Sequence, residues 1–498
     1  MNQSGKAKIW AIVILAVVIA VGVLAFNNIY RFRPSHGAGT GSAELPRQIA
    51  ASDVALPPGY AIDAVATGLT FPTAVAFDDS ARLHVIEAGY VYGEKWGTPR
   101  LLRVEADGRL VEIARGTMPP WTGLSFSNGA FLISEGGARD GGRIIRVTPQ
   151  GSMTVLIDSL PSMGDHHTNR AVAGPDGSVY FTIGTATNSA VVGEDNWEFG
   201  WLKRHPTFHD IPCQDVTLTG ENHETRDVRS ADSSVRTATG AFVPFGTRTA
   251  PGQVVRGSVP CAGSLLRVPS SGGQPQLVAW GFRNPYGVAF APDGTLYITD
   301  NGFDTRGSRG IFGGADHLFR VEQGKWYGWP DYAGEIPVAQ ERFKPREKAQ
   351  PRAVLASLPN RPPEPVARLA VHSSSNGFDF STNAQFGHVG QAFIAQFGDM
   401  TPKTGKVWDP VGARVVRVDV KTGDITDFVT NKGKTHGPAS QIGSKGIERP
   451  VDARFGPGGD ALYITDFGIM TVSEAGPVAR ERTGVIWRVR RTAEGGAR

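Results

Sequence analysis

Gly174-Pro175-Asp176-Gly177-Ser178-Val179-Tyr180-Phe181-Thr182 is a turn followed by an alternating strand, and its recurrence along the chain decides the fold. Pro, Asp and Gly supply the backbone angles of a tight turn, and the residues after them alternate with period 2. The pattern returns at Ala291-Pro292-Asp293-Gly294-Thr295-Leu296-Tyr297-Ile298-Thr299 and at Gly456-Pro457-Gly458-Gly459-Asp460-Ala461-Leu462-Tyr463-Ile464-Thr465. Weaker copies surround Asp78-Asp79, Ser127-Asn128-Gly129 and Ser381-Thr382-Asn383. After each turn a further strand ends in Arg-Val, at Arg103-Val104, Arg146-Val147, Arg267-Val268, Arg320-Val321, Arg417-Val418 and Arg488-Val489. Short strands repeating at this spacing bury their faces only against neighbouring sheets, which predicts an all-β six-bladed β-propeller. One arginine per blade at one register is expected to serve sheet packing on a solvated face. Function is then expected where the blades differ.

Outward from the repeats, Ile9 to Phe26 form an unbroken apolar run behind Lys6 and Lys8. It has the length of a helix crossing a hydrocarbon core of about 30 Å. Residues 1–30 are therefore expected to be a transmembrane signal anchor, with a signal peptide cleaved after Val23-Leu24-Ala25 as the alternative. Either way the remainder is expected outside the cytoplasm, in the periplasm if held at the inner membrane. Residues 31–58, rich in Gly, Ser, Ala and Pro, read as a flexible linker. The propeller is expected over 59–490, with Tyr60 to Ala66 pairing with the last blade to close the ring, and 491–498 as a polar tail. The formal net charge of +4 comes partly from the termini and points to no nucleic acid.

The only two cysteines, Cys213 and Cys261, both belong to the segment that interrupts the third repeat, a long excursion from Asn188 to Pro260 with Cys261 directly after it. In an oxidising compartment they are expected to form a disulfide that orders a loop capping the site. A metal site from His205, His209 and Cys213 is the rival reading, opposed by Pro206 and Pro212, which break the helix it needs.

The third blade opens with Gly164-Asp165-His166-His167-Thr168-Asn169-Arg170, and a histidine beside a carboxylate on a channel-lining strand has the makings of a general base. The fourth opens with Gly281-Phe282-Arg283-Asn284-Pro285-Tyr286-Gly287 and runs through Asp300-Asn301-Gly302-Phe303-Asp304 to Asp316-His317 and Tyr327-Gly328-Trp329-Pro330. Carboxylates and carbonyls in a Gly-rich loop suit a hard cation such as calcium. Arg449-Pro450-Val451-Asp452 brings a second arginine from the sixth blade. Two arginines, a cation and a histidine suggest an anionic ligand beside a proton acceptor.

These motifs, each at its expected blade, resemble the soluble pyrroloquinoline-quinone (PQQ)-dependent aldose dehydrogenases, the glucose/sorbosone dehydrogenase family of six-bladed propellers. The resemblance implies that His166 takes the C1 hydroxyl proton of a sugar while the C1 hydride moves to the quinone, for which an external electron acceptor is the expected partner. It implies that Arg283 stabilises charge on the quinone oxygen, that Asn284 and Arg449 hold the cofactor, and that the carbonyls of Gly302 and Phe303 coordinate calcium. Asp316 and Tyr327 match a second, structural calcium region. The sequence departs from the family at Thr185, where a carboxylate is usual, at Val451, where an arginine is usual, around Trp121-Thr122, where a glutamine is usual, and at His317, where an acidic residue is usual. The family's cofactor-binding lysine has no equivalent near Gln396-Phe397-Gly398, which leaves Lys403 and Lys406 as candidates. A calcium-dependent lactonase and a sugar- or partner-binding propeller without catalysis are the competing functions.

Overall fold

The computed structural model describes residues 3–32, 45–91, 95–137, 139–346, 348–399, 411–433, 436–473 and 476–492. Six antiparallel sheets follow one another in chain order. Their innermost strands are Pro72–Phe77, Trp121–Ser127, Thr168–Ala173, Pro285–Phe290, Ser375–Phe380 and Pro450–Phe455. Each packs against the next and the first packs against the last, so the ring is closed. The sequence turns join first to second strands, and every Arg-Val pair falls in or ends a third strand. The repeated arginines make local, partly exposed pairs, as between Arg103 and Glu105 and between Arg488 and Asp63.

Ring closure occurs where the alternation around Tyr60 placed it. Tyr60–Leu69 pairs antiparallel with Gly484–Arg491 and becomes the outermost strand of the sixth blade. The first and last strands of the propeller thus pair in one sheet and close the ring. The core is a set of apolar layers between blades: Val75, Val85 and Leu102 meet Leu69 and Ile486 at the closure, while Leu318 meets Phe378 and Ile394 between the fourth and fifth blades.

Two expectations at the N-terminus change. The helix Gln3–Phe32 forms, with exposed side chains where they are described, over 10–25. Among the described residues no helix is long and apolar enough to cross a membrane, so the anchor expected over 1–30 has no support there. The described part of the expected linker is not a free tether. Val54–Ala55 pairs with the outer strand of the fifth blade, and Ile49, Ala51 and Leu56 pack on the layer between the fifth and sixth blades. Arg47 reaches Asp466 at 2.6 Å and donates to the carbonyls of Thr483 and Gly446. A Gly- and Ser-rich composition hid this docking, which rests on a few apolar side chains and one arginine.

Because strands alternate in direction, all second-to-third connections leave the face where the innermost strands begin. The longest is the insertion in the third blade, which folds into two short helices, Glu194–Glu198 and Trp201–Arg204, and two small hairpin pairings. Cys213 and Cys261 are disulfide-bonded and buried, which excludes the His205, His209 and Cys213 metal reading. The connection after the third strand of the fourth blade packs on the insertion through Leu218 and Leu355 and through Arg309, which bonds Asp331 and the Ser189 and Pro330 carbonyls.

Both side chains of the Arg47–Asp466 pair are almost fully buried. Removing one partner of a buried pair typically costs about 3–5 kcal/mol. Arg47→Ala should therefore lower the denaturant midpoint of a chain beginning near residue 45, whereas Arg103→Ala, at a solvated pair, should move it far less.

Candidate active site

All six innermost strands carry a β-bulge near their first residues. Pairing skips Thr73, Thr122, Tyr286 and Val451 in four blades, and Asn169-Arg170 and Asn376-Gly377 each oppose a single residue in the other two. A bulge frees the extra residue from the ladder and turns its side chain. Here it re-aims side chains at the ring's centre, and several bond a neighbouring blade: Thr73 Oγ1 donates to Trp121 O, Thr122 Oγ1 to Asn169 O, and Asn169 Nδ2 to Pro285 O.

The longest reach belongs to Arg170, which crosses from the third blade to Asp452 in the sixth, the opposite blade of the ring. Its two terminal nitrogens meet the carboxylate at 3.2 and 2.7 Å, and both side chains are buried. Gly377 lets the pair form, since a Cβ there would lie 2.0 Å from Asp452 Oδ1. The pair floors the channel, and the candidate site is the cup above it.

His166 is held from below by Thr185, whose carbonyl and hydroxyl oxygens lie 2.9 and 3.0 Å from Nδ1. A carbonyl only accepts, so Nδ1 carries the proton and Nε2 is the basic nitrogen. Burial, reinforced by the Arg283 and Arg306 guanidinia, holds the His166 pKa well below the ordinary histidine range. Asp165 is not the ring's partner, because successive residues of an extended chain project to opposite sides. It pairs instead with Arg306, and burial pushes its carboxyl up to about 6 against that arginine's pull.

Arg283 is buried beside this histidine. Its Nε donates to Asn188 Oδ1 at 3.1 Å and its Nη2 to Asp304 Oδ2 at 2.8 Å. Burial alone would raise the Asp304 carboxyl, but Arg283 and Arg306 outweigh it and keep it below the usual carboxylate range. Asn284 accepts from Asn169 Nδ2 and donates to Asn301 Oδ1. Gly184 separates Asn284 from His166, for a Cβ there would lie 2.2 Å from His166 Cβ and 3.3 Å from Asn284 Oδ1. His166, Arg283 and Asn284 are thus brought together, as the sequence led one to expect.

Arg449 lies at the junction of the fifth and sixth blades, fully buried, with its guanidinium at 3.3 Å from the Phe397 and Asp399 carbonyls and over the Phe397 ring. Asp466 accepts its backbone N–H. Val451 beside it sits in an apolar cluster with Phe71, Phe397 and Phe467. Lys403 and Lys406 lie outside the described residues.

The metal assignments divide. The carbonyls of Gly302 and Phe303 accept no hydrogen bond among the described residues. The Asp316 carboxylate already accepts from Gly302 N, Ser373 Oγ and Ser375 N, so it braces the loop. Tyr327 does not join it. The phenol donates to Arg320 O, four residues and about 13 Å along a strand from Asp316 at 3.3 Å per residue, and its ring stacks on Phe282. Among the described residues no group of three or more His, Cys, Asp or Glu could hold a metal ion.

Three participants carry no motif of their own in the sequence: Arg306, Asn188 and the partnership of Thr185 with His166. Asn188 was visible as the first residue of the insertion. Arg306 sat in a loop read for its carboxylates.

The glucose/sorbosone dehydrogenase family matches residues 254–393. Quinoprotein glucose dehydrogenase B of Acinetobacter calcoaceticus is 27% identical over 183 residues, 36% of this chain and 29% of that protein, so the match spans less than a third of its length. PQQ-bound aldose sugar dehydrogenase from Streptomyces coelicolor superposes with a TM-score of 0.50 at 17% identity, covering 88% of this chain and 99% of that one. The holo PQQ domain of pyranose dehydrogenase from Coprinopsis cinerea gives 0.51 at 14% identity, covering 91% and 99%. The structures bear on the fold alone, and the likeness to the glucose/sorbosone dehydrogenase family is carried by the matched segment.

The Arg170–Asp452 pair sets a test of the site's floor. Burial pushes the Asp452 carboxyl above its ordinary range even with Arg170 opposite, so desolvation outweighs the pairing. Arg170→Ala leaves that buried carboxylate with Arg454 Nε, at 3.2 Å from Oδ1, as its remaining cationic contact, and should cost up to roughly 3–5 kcal/mol. Replacing both residues by apolar side chains of similar volume should recover most of this loss in urea denaturation, because the pair's own net contribution is small.

Proposed function

We propose that this chain is an exported quinoprotein oxidoreductase that transfers a hydride from C1 of an aldose or related sugar to pyrroloquinoline quinone, with calcium as a second cofactor. The observation that carries the proposal is His166, neutral, with its proton fixed on Nδ1 by Thr185 and with the Arg283 guanidinium beside it. A general base needs to be unprotonated and aimed by its other nitrogen, and His166 meets both conditions.

The residues fit a tricarboxylated planar cofactor. Arg283 and Arg449 are buried guanidinia at two blade junctions, Asn284 lies between them in chain order and next to the base, and Asn169 Oδ1 is a buried acceptor without a partner among the described residues. The cofactor, when bound, supplies a two-electron acceptor. His166 Nε2 would take the proton of the C1 hydroxyl as the hydride leaves C1, so that an aldose becomes its lactone. Arg283, held in place by Asn188 and Asp304, would face the negative charge that develops opposite the sugar. Asn284 and Arg449 would hold the cofactor, with Lys403 and Lys406 as the candidates for a further cationic contact. The unengaged Gly302 and Phe303 carbonyls would be calcium ligands, and Asp316 would fix their loop by holding the Gly302 N–H.

Export rests on the Lys-flanked apolar N-terminus and on the Cys213–Cys261 disulfide, which suits an oxidising compartment. One observation favours a second reading, a propeller that binds sugar without oxidising it. Val451 is buried among apolar side chains at the position where a cofactor-holding arginine is expected.

Reconstituting the chain from residue 45 onward with quinone and calcium separates the two. A bound-cofactor spectrum that bleaches with a member of a sugar panel supports the oxidoreductase, and no quinone binding at saturating cofactor defeats it. His166→Ala should leave quinone binding nearly intact and lower kcat by roughly 10²–10⁴-fold, the usual effect of losing a general base. His167→Ala should be mild.

The pH profile gives an independent check. A base is active unprotonated, and the His166 pKa is depressed. The acid limb of kcat/KM should therefore lie below the ordinary histidine value of about 6.5. A limb at or above that value would show that another group is the base.

A further inference from the structure

We propose that Arg306 is a positioning residue that latches the capping insertion onto the base-bearing strand and onto the partner of Arg283. The role rests on the oxidoreductase reading for its catalytic meaning, although the latch itself stands on geometry. Arg306 Nη1 and Nη2 reach the two oxygens of Asp165, next to His166. Nη1 also meets Asp195 at 2.8 Å, in the first helix of the insertion. Nε meets Asp304 Oδ2 at 3.1 Å, the same oxygen that receives Arg283 Nη2. One guanidinium thus joins the start of the third blade, the cap and the fourth blade's connection.

All five donor hydrogens of an arginine lie in one plane with fixed directions, so three carboxylates held around it are fixed relative to one another. Lysine could satisfy the charge but not the geometry. The backbone around Arg306 is itself anchored, since Asn188 Nδ2 donates to the Asp304 and Arg306 carbonyls. Two guanidinia face three carboxylates, Asp165, Asp195 and Asp304, in this group. Removing Arg306 would leave three carboxylates against one arginine. Asp165 and Asp195 would then repel each other, and the cap would lose its tie to the His166 strand.

The charged and titratable groups around His166 are Arg283 from the fourth blade, Arg306 and Asp304 from its connection, Asp165 and His167 from its own segment, and Asp195 and Asp210 from the insertion, which act on Asp165, with His372 against Asp304. Loss of the Arg306 charge removes repulsion of the imidazolium and exposes it to uncompensated carboxylates. Both changes raise the affinity of His166 for a proton.

The test uses the full chain without cofactor, so that failure of quinone binding does not enter it. Wild type, Arg306→Gln, Arg306→Lys and Asp195→Asn are compared by histidine NMR titration and by limited proteolysis. Arg306→Gln should raise the His166 midpoint and increase cleavage between Asn188 and Pro260. Arg306→Lys should restore most of the midpoint but not the protection, because it returns charge without the fork. Asp195→Asn, which leaves Arg306 on Asp165 and Asp304, should increase cleavage with little change in the midpoint. An unmoved His166 midpoint in Arg306→Gln, or unchanged cleavage in both Arg306→Gln and Asp195→Asn, overturns the proposal.

Discussion

The Arg170–Asp452 ion pair is the contact on which the site depends, because a ring of six sheets otherwise leaves an open axis. Side chains from opposite blades meet there and turn a passage into a cup. The arrangement is demanding. It needs the third-blade bulge to aim Arg170, a glycine at 377 to make room for the carboxylate, and the Leu124 carbonyl to take another donor. It also places a buried charge pair where apolar packing would be at least as stable. Its compensation is geometric: His166, four residues before Arg170, and Arg449, three before Asp452, are referred to one rigid floor.

How much of this was legible follows from periodicity. Turn and strand repeats report each blade separately, so the six blades, the closing strand at Tyr60 and the third-strand arginines could all be read in advance. The placement of His166, Arg283, Asn284 and Arg449 was legible for the same reason, since each stands one to two residues before an innermost strand. The bulges were not, because each falls within the first few residues of a strand of six or seven, too few to show the phase shift that one additional residue makes. Two departures noted in the sequence, Thr122 and Val451, fall on bulged positions and so concern the residues that face the axis. Contacts that join distant segments were also hidden. Arg47 with Asp466 and Arg306 with Asp165 are separated by hundreds of residues or by the whole insertion, and no local pattern announces them.

Thr185 shows how a departure can be absorbed. A carboxylate beside Nδ1 would orient the ring and favour its protonated form. A hydroxyl and a carbonyl orient it equally well while adding no charge. Burial and two arginines then keep the imidazole neutral, which is the state a proton acceptor requires. The substitution changes where the base titrates more than where it points.

The balance of charge in the cup bears on what it can hold. On the His166 side, two guanidinia are matched against three carboxylates, so that side has no cationic surplus for an anionic ligand. The Gly302 and Phe303 carbonyls border this same cluster, two residues or fewer from Asp304. A divalent cation bound there would reverse the local balance and convert a cluster that repels carboxylates into one that attracts them. On the far side, Arg449 is held by carbonyl oxygens and a phenylalanine face, and Glu448, Asp399 and Asp466 lie close enough to act on its charge. A cation held by those carbonyls would therefore strengthen the hold of the His166 side on an anionic cofactor.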